Sequence, residues 1–168
     1  MLSVKTLLPE FFHGVRVLDI GSLDINGNNR YLFTDSSYIG IDLGAGANVD
    51  VVCRGHQYKN DQPFDVVIST ECFEHDKFWE QTILNGITLL RPGGLFAFTC
   101  ATIGRDEHGT RKIKPHDSPF TLDYYCNLTE ADMREKIHFD NLFISYKFSV
   151  DVQAHDLYFW GIKMDNPS

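Results

Sequence analysis

The chain has 168 residues, 43% of them hydrophobic and 23% charged, which bounds it to one domain with room for a sizeable core. A formal net charge of −8 argues against a nucleic-acid surface, which needs a basic stripe, and favours a small-molecule or protein substrate. No stretch approaches the roughly 18 apolar residues of a membrane span, and MLSVKTLLPEFFHG lacks the long apolar run of a secretion signal. Cys53, Cys72, Cys100 and Cys126 show no C-x-x-C spacing, so the expectation is reduced, structural thiols in a cytoplasmic protein.

In chain order, residues 3–12 predict a short helix carrying Leu7, Leu8, Phe11 and Phe12. Val15 to Ile20 is an apolar strand that runs into a polar turn, and a short helix follows at 28–33. Tyr38 to Ile41, Asn48 to Cys53 and Phe64 to Thr70 are three further strands, short, apolar and β-branched, as expected where both sheet faces are covered. Residues 76–90 predict a helix with Trp79, Ile83, Ile87 and Leu90 as its buried stripe, stopped by Arg91-Pro92-Gly93-Gly94. Leu95 to Cys100 is the fifth strand. Residues 101–127 have no period, and a loop of that length is expected to be an active-site lid or substrate loop.

Thr129 and Asp132 form a capping box for a late helix, with Leu128 and Met133 as its staple. FISYKFSV, in which Ile144, Tyr146, Phe148 and Val150 alternate with polar residues, and LYFWGIKM then predict an antiparallel hairpin. The pattern is α/β, a doubly wound and mostly parallel seven-stranded Rossmann-like sheet in one domain, with helices on both faces and a terminal hairpin.

In such a sheet the ligand sits beyond the carboxyl ends of the strands. The residues there are Gly21, Ser22, Asp24, Asn26 and Gly27 after the first strand, Asp42 after the second, Arg54, Gly55 and His56 after the third, and Thr70, Glu71, Cys72 and His75 after the fourth. Asp42 stands about 20 residues beyond the first glycine, where a carboxylate accepts both hydroxyls of a ribose.

VLDIGS, YIGIDL, FDVVISTECFEH and LLRPGGLFAFT, in that order, resemble the motifs of class I S-adenosylmethionine-dependent methyltransferases, from about Val15 to Ile162. The loop Gly21-Ser22-Leu23-Asp24-Ile25-Asn26-Gly27, the segment Pro115-His116-Asp117-Ser118-Pro119 and the run Tyr124-Tyr125-Cys126-Asn127-Leu128-Thr129 are similar to a small-molecule branch of that family. The resemblance implies S-adenosylmethionine held by Asp19, Gly21, Ser22, Asn26, Gly27, Asp42, Leu43, Gly55, His56, Thr70 and Glu71. One departure stands out: CRGHQY has no acid after the third strand, where many members accept the adenine amino group, which leaves His56, Gln57 or a backbone carbonyl for that task.

The implied reaction is methyl transfer to an oxygen or nitrogen of a small polar metabolite, a sugar or an anionic molecule, with His75 as first candidate for a general base and His116 as second. Arg105, His108, Tyr124 and Tyr125 are the candidate acceptor-binding residues, and Arg105, Arg111, Lys112 and Lys114 make a local basic lip for an anion. Asp106, His108, His116 and Asp117 with Glu71 or Asp76 match no metal template, so no metal is expected. Neither a nucleic-acid nor a membrane partner is expected, and the aromatic hairpin suits a homo-oligomer surface and core packing equally. Two alternatives remain at this stage: an inactive cofactor-binding scaffold with the same fold, and a nicotinamide-dependent oxidoreductase, against which LLRPGG and the hairpin count.

Overall fold

Seven strands form one sheet: β1 (Arg16–Ile20), β2 (Ser37–Asp42), β3 (Val51–Val52), β4 (Phe64–Thr70), β5 (Leu90–Ala101), β6 (Phe143–Asp151) and β7 (Asp156–Lys163). Their order is β3-β2-β1-β4-β5-β7-β6 in this computed structural model, which describes residues 1–165. The β1–β5 half is parallel, and β7 runs antiparallel between β5 and β6. Strand order reverses between β1 and β4, so a crevice opens beyond Ile20 and Thr70.

The apolar runs bury both sheet faces by the period-2 alternation of a strand. Leu18, Ile20, Val67, Phe96 and Phe98 face one way, onto Ile83 and Ile87 of helix α2 (Trp79–Leu89) and Met133 of helix α3 (Glu130–Lys136). Val17, Val66, Ile68, Leu95 and Ala97 face the other way, onto Val4 of helix α1 (Leu2–Leu7) and onto Phe11, Phe12, Leu32 and Phe33. The first layer is thick and aromatic: Phe96, Phe98, Phe139, Phe143 and Phe159 pack with centroids 5.1–6.4 Å apart. The second is one short helix and single 3-10 turns.

Several elements differ from expectation, each for a local reason. The helix of residues 3–12 is two pieces, because Pro9 has no N–H and starts a separate turn at Pro9–Phe12. The helix of 28–33 shrinks to one 3-10 turn at Arg30–Leu32, since Asp24 and Asn28 spend their side chains on local bonds and Asn29 donates to the Thr70 hydroxyl across the crevice. The third strand keeps only Val51–Val52 of the predicted six residues.

Arg91-Pro92-Gly93-Gly94 does not separate helix from strand. It bulges within β5, where the register jumps from Phe64 opposite Leu90 to Val66 opposite Leu95. In β6, Tyr146 and Phe148 pack on the core; Ile144 is exposed, because a register shift follows Phe143 on this edge strand, and Val150 is exposed near the strand's far end. The capping box at Thr129 and Asp132 forms with both reciprocal bonds, and Leu128 and Met133 are buried beside it. All four cysteines are free thiols, and no helix among the described residues is long and apolar enough to cross a membrane.

Candidate active site

A cavity of about 340 Å³ opens at the carboxyl ends of β1, β2 and β4 and is roofed by residues 117–121 of the long loop. Its size lies in the range of small-ligand sites.

The loop after β1 builds one end. Gly21 and Ser22 both donate their N–H groups to the Ile41 carbonyl, at 2.9 and 3.1 Å, and Leu23 donates its N–H to Asp42 Oδ2 at 3.1 Å. The turn is therefore folded down onto the end of β2. Gly21 has φ +77°, and a Cβ there would lie 2.4 Å from Cys72 Sγ, so only glycine lets this turn pack against the loop after β4. Gly27 needs glycine for its φ of +120° alone; Asp24 closes that turn by accepting the Gly27 N–H at 2.8 Å and the Asn28 amide at 2.7 Å.

Asp42 lines the cavity with its oxygens also accepting the Leu23 and Gly44 N–H groups, and burial raises its pKa. Asp19 is buried below it. Burial pushes its pKa up to about 6 against the bonds donated by the Tyr38 hydroxyl at 2.6 Å and the Asn48 amide at 3.5 Å. At the far side, the His56 ring packs on Phe78 with centroids 4.6 Å apart, and its buried Nδ1 has no partner.

The loop after β4 builds the other end. Glu71 is held in the left-handed region at φ +51°, a strained setting for a residue with a Cβ. Its Oε1 accepts the Thr99 hydroxyl at 2.8 Å, and its Oε2 lies 3.7 Å from Arg105. Glu74 is fully buried with neither carboxylate oxygen bonded; burial, then the Glu71 charge, raises its pKa well above the usual carboxylate range.

His75 is 6% exposed, and burial, followed by the neighbouring His108, holds its pKa down to about 4, so its ring is neutral at neutral pH. The long loop brings His108 edge-on to His75, with centroids 4.9 Å apart and Tyr125 packed against both rings. Arg105 is fixed on the Ala154 carbonyl and on Asp156 Oδ1, each at 2.7 Å.

No model of a known protein family matches the sequence, and no curated protein matches it by sequence. Solved structures do match. The Burkholderia thailandensis 1,6-didemethyltoxoflavin-N1-methyltransferase, with bound S-adenosylhomocysteine, aligns at TM-score 0.67 and 16% identity over 98% of this chain and 76% of that one. Haemonchus contortus phosphoethanolamine N-methyltransferase 2, in complex with S-adenosyl-L-methionine, aligns at 0.66 and 18% over 97% of this chain; the chain spans only 53% of that protein. The N-methyltransferase NodS from Bradyrhizobium japonicum WM9 aligns at 0.59 and 13% over 98% and 96%. The chain has the fold of the class I S-adenosylmethionine-dependent methyltransferases.

Within this methyltransferase fold the cavity gathers Gly21, Ser22, Asn26 and Gly27 of the loop after β1, with Asp24 bracing that loop from outside, together with Asp19, Asp42, Leu43, Gly55, His56, Thr70 and Glu71. From the expected acceptor and catalytic sets it gathers His75, Arg105 and His108. Tyr125 reaches the site only from behind the two imidazoles, and Tyr124 does not line the cavity. His116 points to solvent with its Nε2 3.3 Å from Asp117, and Arg111, Lys112 and Lys114 lie off the main cavity, so the basic lip reduces there to Arg105.

Sequence reasoning passed over Glu74, Asn29, Asn48, Arg30 and Phe120. Glu74 was visible inside ECFEH, three residues after Glu71. Arg30 and Asn48 carry no sequence signal: their Nε–Oδ1 bond of 2.7 Å joins segments 18 residues apart. Phe120, half exposed on the long loop, lies over Gly44 and bridges the loop to the end of β2.

Proposed function

We propose that the protein transfers a methyl group from S-adenosylmethionine to an oxygen or nitrogen of a small polar or anionic metabolite. The observation that carries this reading is the placement of Asp42, Gly21 and Ser22 around one cavity at the strand-order reversal of a methyltransferase fold. That placement suits an adenosine whose ribose hydroxyls donate to Asp42, while His56 offers an unbonded Nδ1 on the side where an acid is missing. The transferable methyl would then point toward the acceptor end, lined by Glu71, His75, Arg105 and His108.

Methyl transfer is an in-line displacement. The cofactor supplies the electrophilic methyl, and the chain's task is alignment and exclusion of water. The neutral imidazole of His75 can take the acceptor's proton. Arg105, already paired with Asp156 and near Glu71, is the cation available to an anionic acceptor. The residues of 117–121 close the roof. Methyl acceptors named for structures of the same fold include 1,6-didemethyltoxoflavin and phosphoethanolamine, both small molecules.

The test is a calorimetric titration with S-adenosylmethionine and, separately, NAD, on the wild type and on Asp42→Ala. Saturable binding of S-adenosylmethionine alone, weakened about 10- to 100-fold by the substitution, is expected from the loss of one to two charge-assisted bonds. A folded wild type that binds NAD instead, or neither ligand, overturns the reading.

A further inference from the structure

Glu74, His75 and His108 bring one carboxylate oxygen and two ring nitrogens to within 4.8 Å of one another. We infer that this cluster is a divalent metal site at the acceptor end of the cavity, suited to zinc or a neighbouring first-row transition ion.

Three independent features point to a ligand there. First, Glu74 is fully buried and neither of its oxygens has a hydrogen-bond partner, so its lone pairs are met by no donor of the chain. Second, His75 Nδ1 is also buried without a partner. Third, His108 is set as a ligand. Its Nδ1 lies 3.0 Å from the Asp106 carbonyl, and a carbonyl only accepts, so Nδ1 is the donor and Nε2 is the nitrogen left to meet an ion. A backbone carbonyl on the distal nitrogen is the arrangement that orients metal-binding histidines.

The surroundings hold the donors in place. Tyr125 packs on both rings and donates its hydroxyl to the Asn127 side chain at 2.7 Å. At Gly109, the residue after His108, a Cβ would lie 2.7 Å from the His75 ring, so a side chain there would push the loop and His108 away from His75. Two imidazoles and one carboxylate favour zinc-like ions over magnesium or calcium, which prefer all-oxygen shells. His75 and His108 line the cavity whereas Glu74 lies behind it, so the ion's open positions face the acceptor.

The catalytic consequence rests on the methyl-transfer reading. An acceptor oxygen bound to the ion becomes more acidic and loses its O–H proton to solvent at the cavity mouth. The O–CH3 bond then forms as the S–CH3 bond breaks, and the sulfonium leaves as a neutral thioether. The ion takes the place of His75 as the activating group.

The experiment is a zinc titration of chelator-treated, desalted protein by calorimetry, with cobalt substitution followed by visible absorption and S-adenosylmethionine binding measured on the same samples. One zinc per chain is expected, with a cobalt d–d band. Glu74→Gln and His108→Ala should each weaken zinc binding by about 100-fold or more, since even outer-shell partners cost 10–100-fold, and should leave S-adenosylmethionine affinity within about twofold. His108→Ala lies on a loop and keeps the test open if Glu74→Gln does not fold. No stoichiometric binding of zinc, cobalt or manganese, or binding unchanged in the variants, overturns the metal site. If S-adenosylmethionine binds and zinc does not, the site falls and the methyl-transfer reading stands. If zinc binds and S-adenosylmethionine does not, the site stands and its proposed catalytic use falls.

Discussion

The two ends of the cavity are built on opposite principles. At the end formed by the loop after β1, most polar groups are already bonded to protein, Asp19 Oδ1 and His56 Nδ1 excepted: Asp42 accepts two backbone N–H groups, and the other Asp19 oxygen accepts the Tyr38 hydroxyl. At the end formed by the loop after β4, Glu74 and His75 are buried without partners, and the residue that completes the group, His108, arrives from 33 positions further along the chain. A bonded site keeps its shape before anything binds. An unbonded one holds ligand-directed groups in place at a cost in stability, offset by packing elsewhere.

The contrast can be broken by separating binding from turnover. His75→Ala removes a group that activates the acceptor, as its base or as a ligand of the inferred ion, and should lower the methyl-transfer rate by about 10²- to 10⁴-fold, while S-adenosylmethionine affinity stays within about twofold. Single-turnover kinetics beside calorimetry check it, and a parallel loss of cofactor binding would mean that the two ends are one unit. Gly21→Ala should do the reverse damage. Its Cβ would meet Cys72 at 2.4–2.5 Å from a left-handed backbone, so about 4 kcal/mol of stability should be lost together with cofactor binding, read by denaturant melts and titration.

Asp19 sharpens the comparison through pH. Its folded pKa of about 6 exceeds the ordinary 3.8, so the folded chain holds a proton that the unfolded chain has released between those values. Asp19 therefore stabilises the fold most below pH 4, and that contribution declines as pH rises to about 6, by about 3 kcal/mol in all. Asp19→Asn should remove this decline, so the variant gains on the wild type as pH increases across the window; identical pH–stability curves would contradict it. The smallest effect is expected from the roof. Phe120→Ala removes the ring that lies over Gly44 and should weaken S-adenosylmethionine about threefold, with faster cleavage of the 101–127 loop by protease.

The sequence by itself determined the sheet and the end of the cavity next to β1, because both depend on residues close together in the chain. Alternation fixes which side of a strand is buried, as at Val17 and Leu18, and Gly21 and Asp42 follow directly from the ends of β1 and β2. The capping box at Thr129 was legible for the same reason: its partners lie three residues apart.

Tertiary structure decided the rest. Whether Arg91-Pro92-Gly93-Gly94 ends a strand or bulges within one depends on pairing with β4. Whether His116 or His108 meets His75 depends on how a loop without periodicity folds back, and on Gly109 giving it room. Glu74 was readable as part of a motif, but its burial without a partner was not, because desolvation is set by every segment packed around a carboxylate and not by its neighbours in sequence.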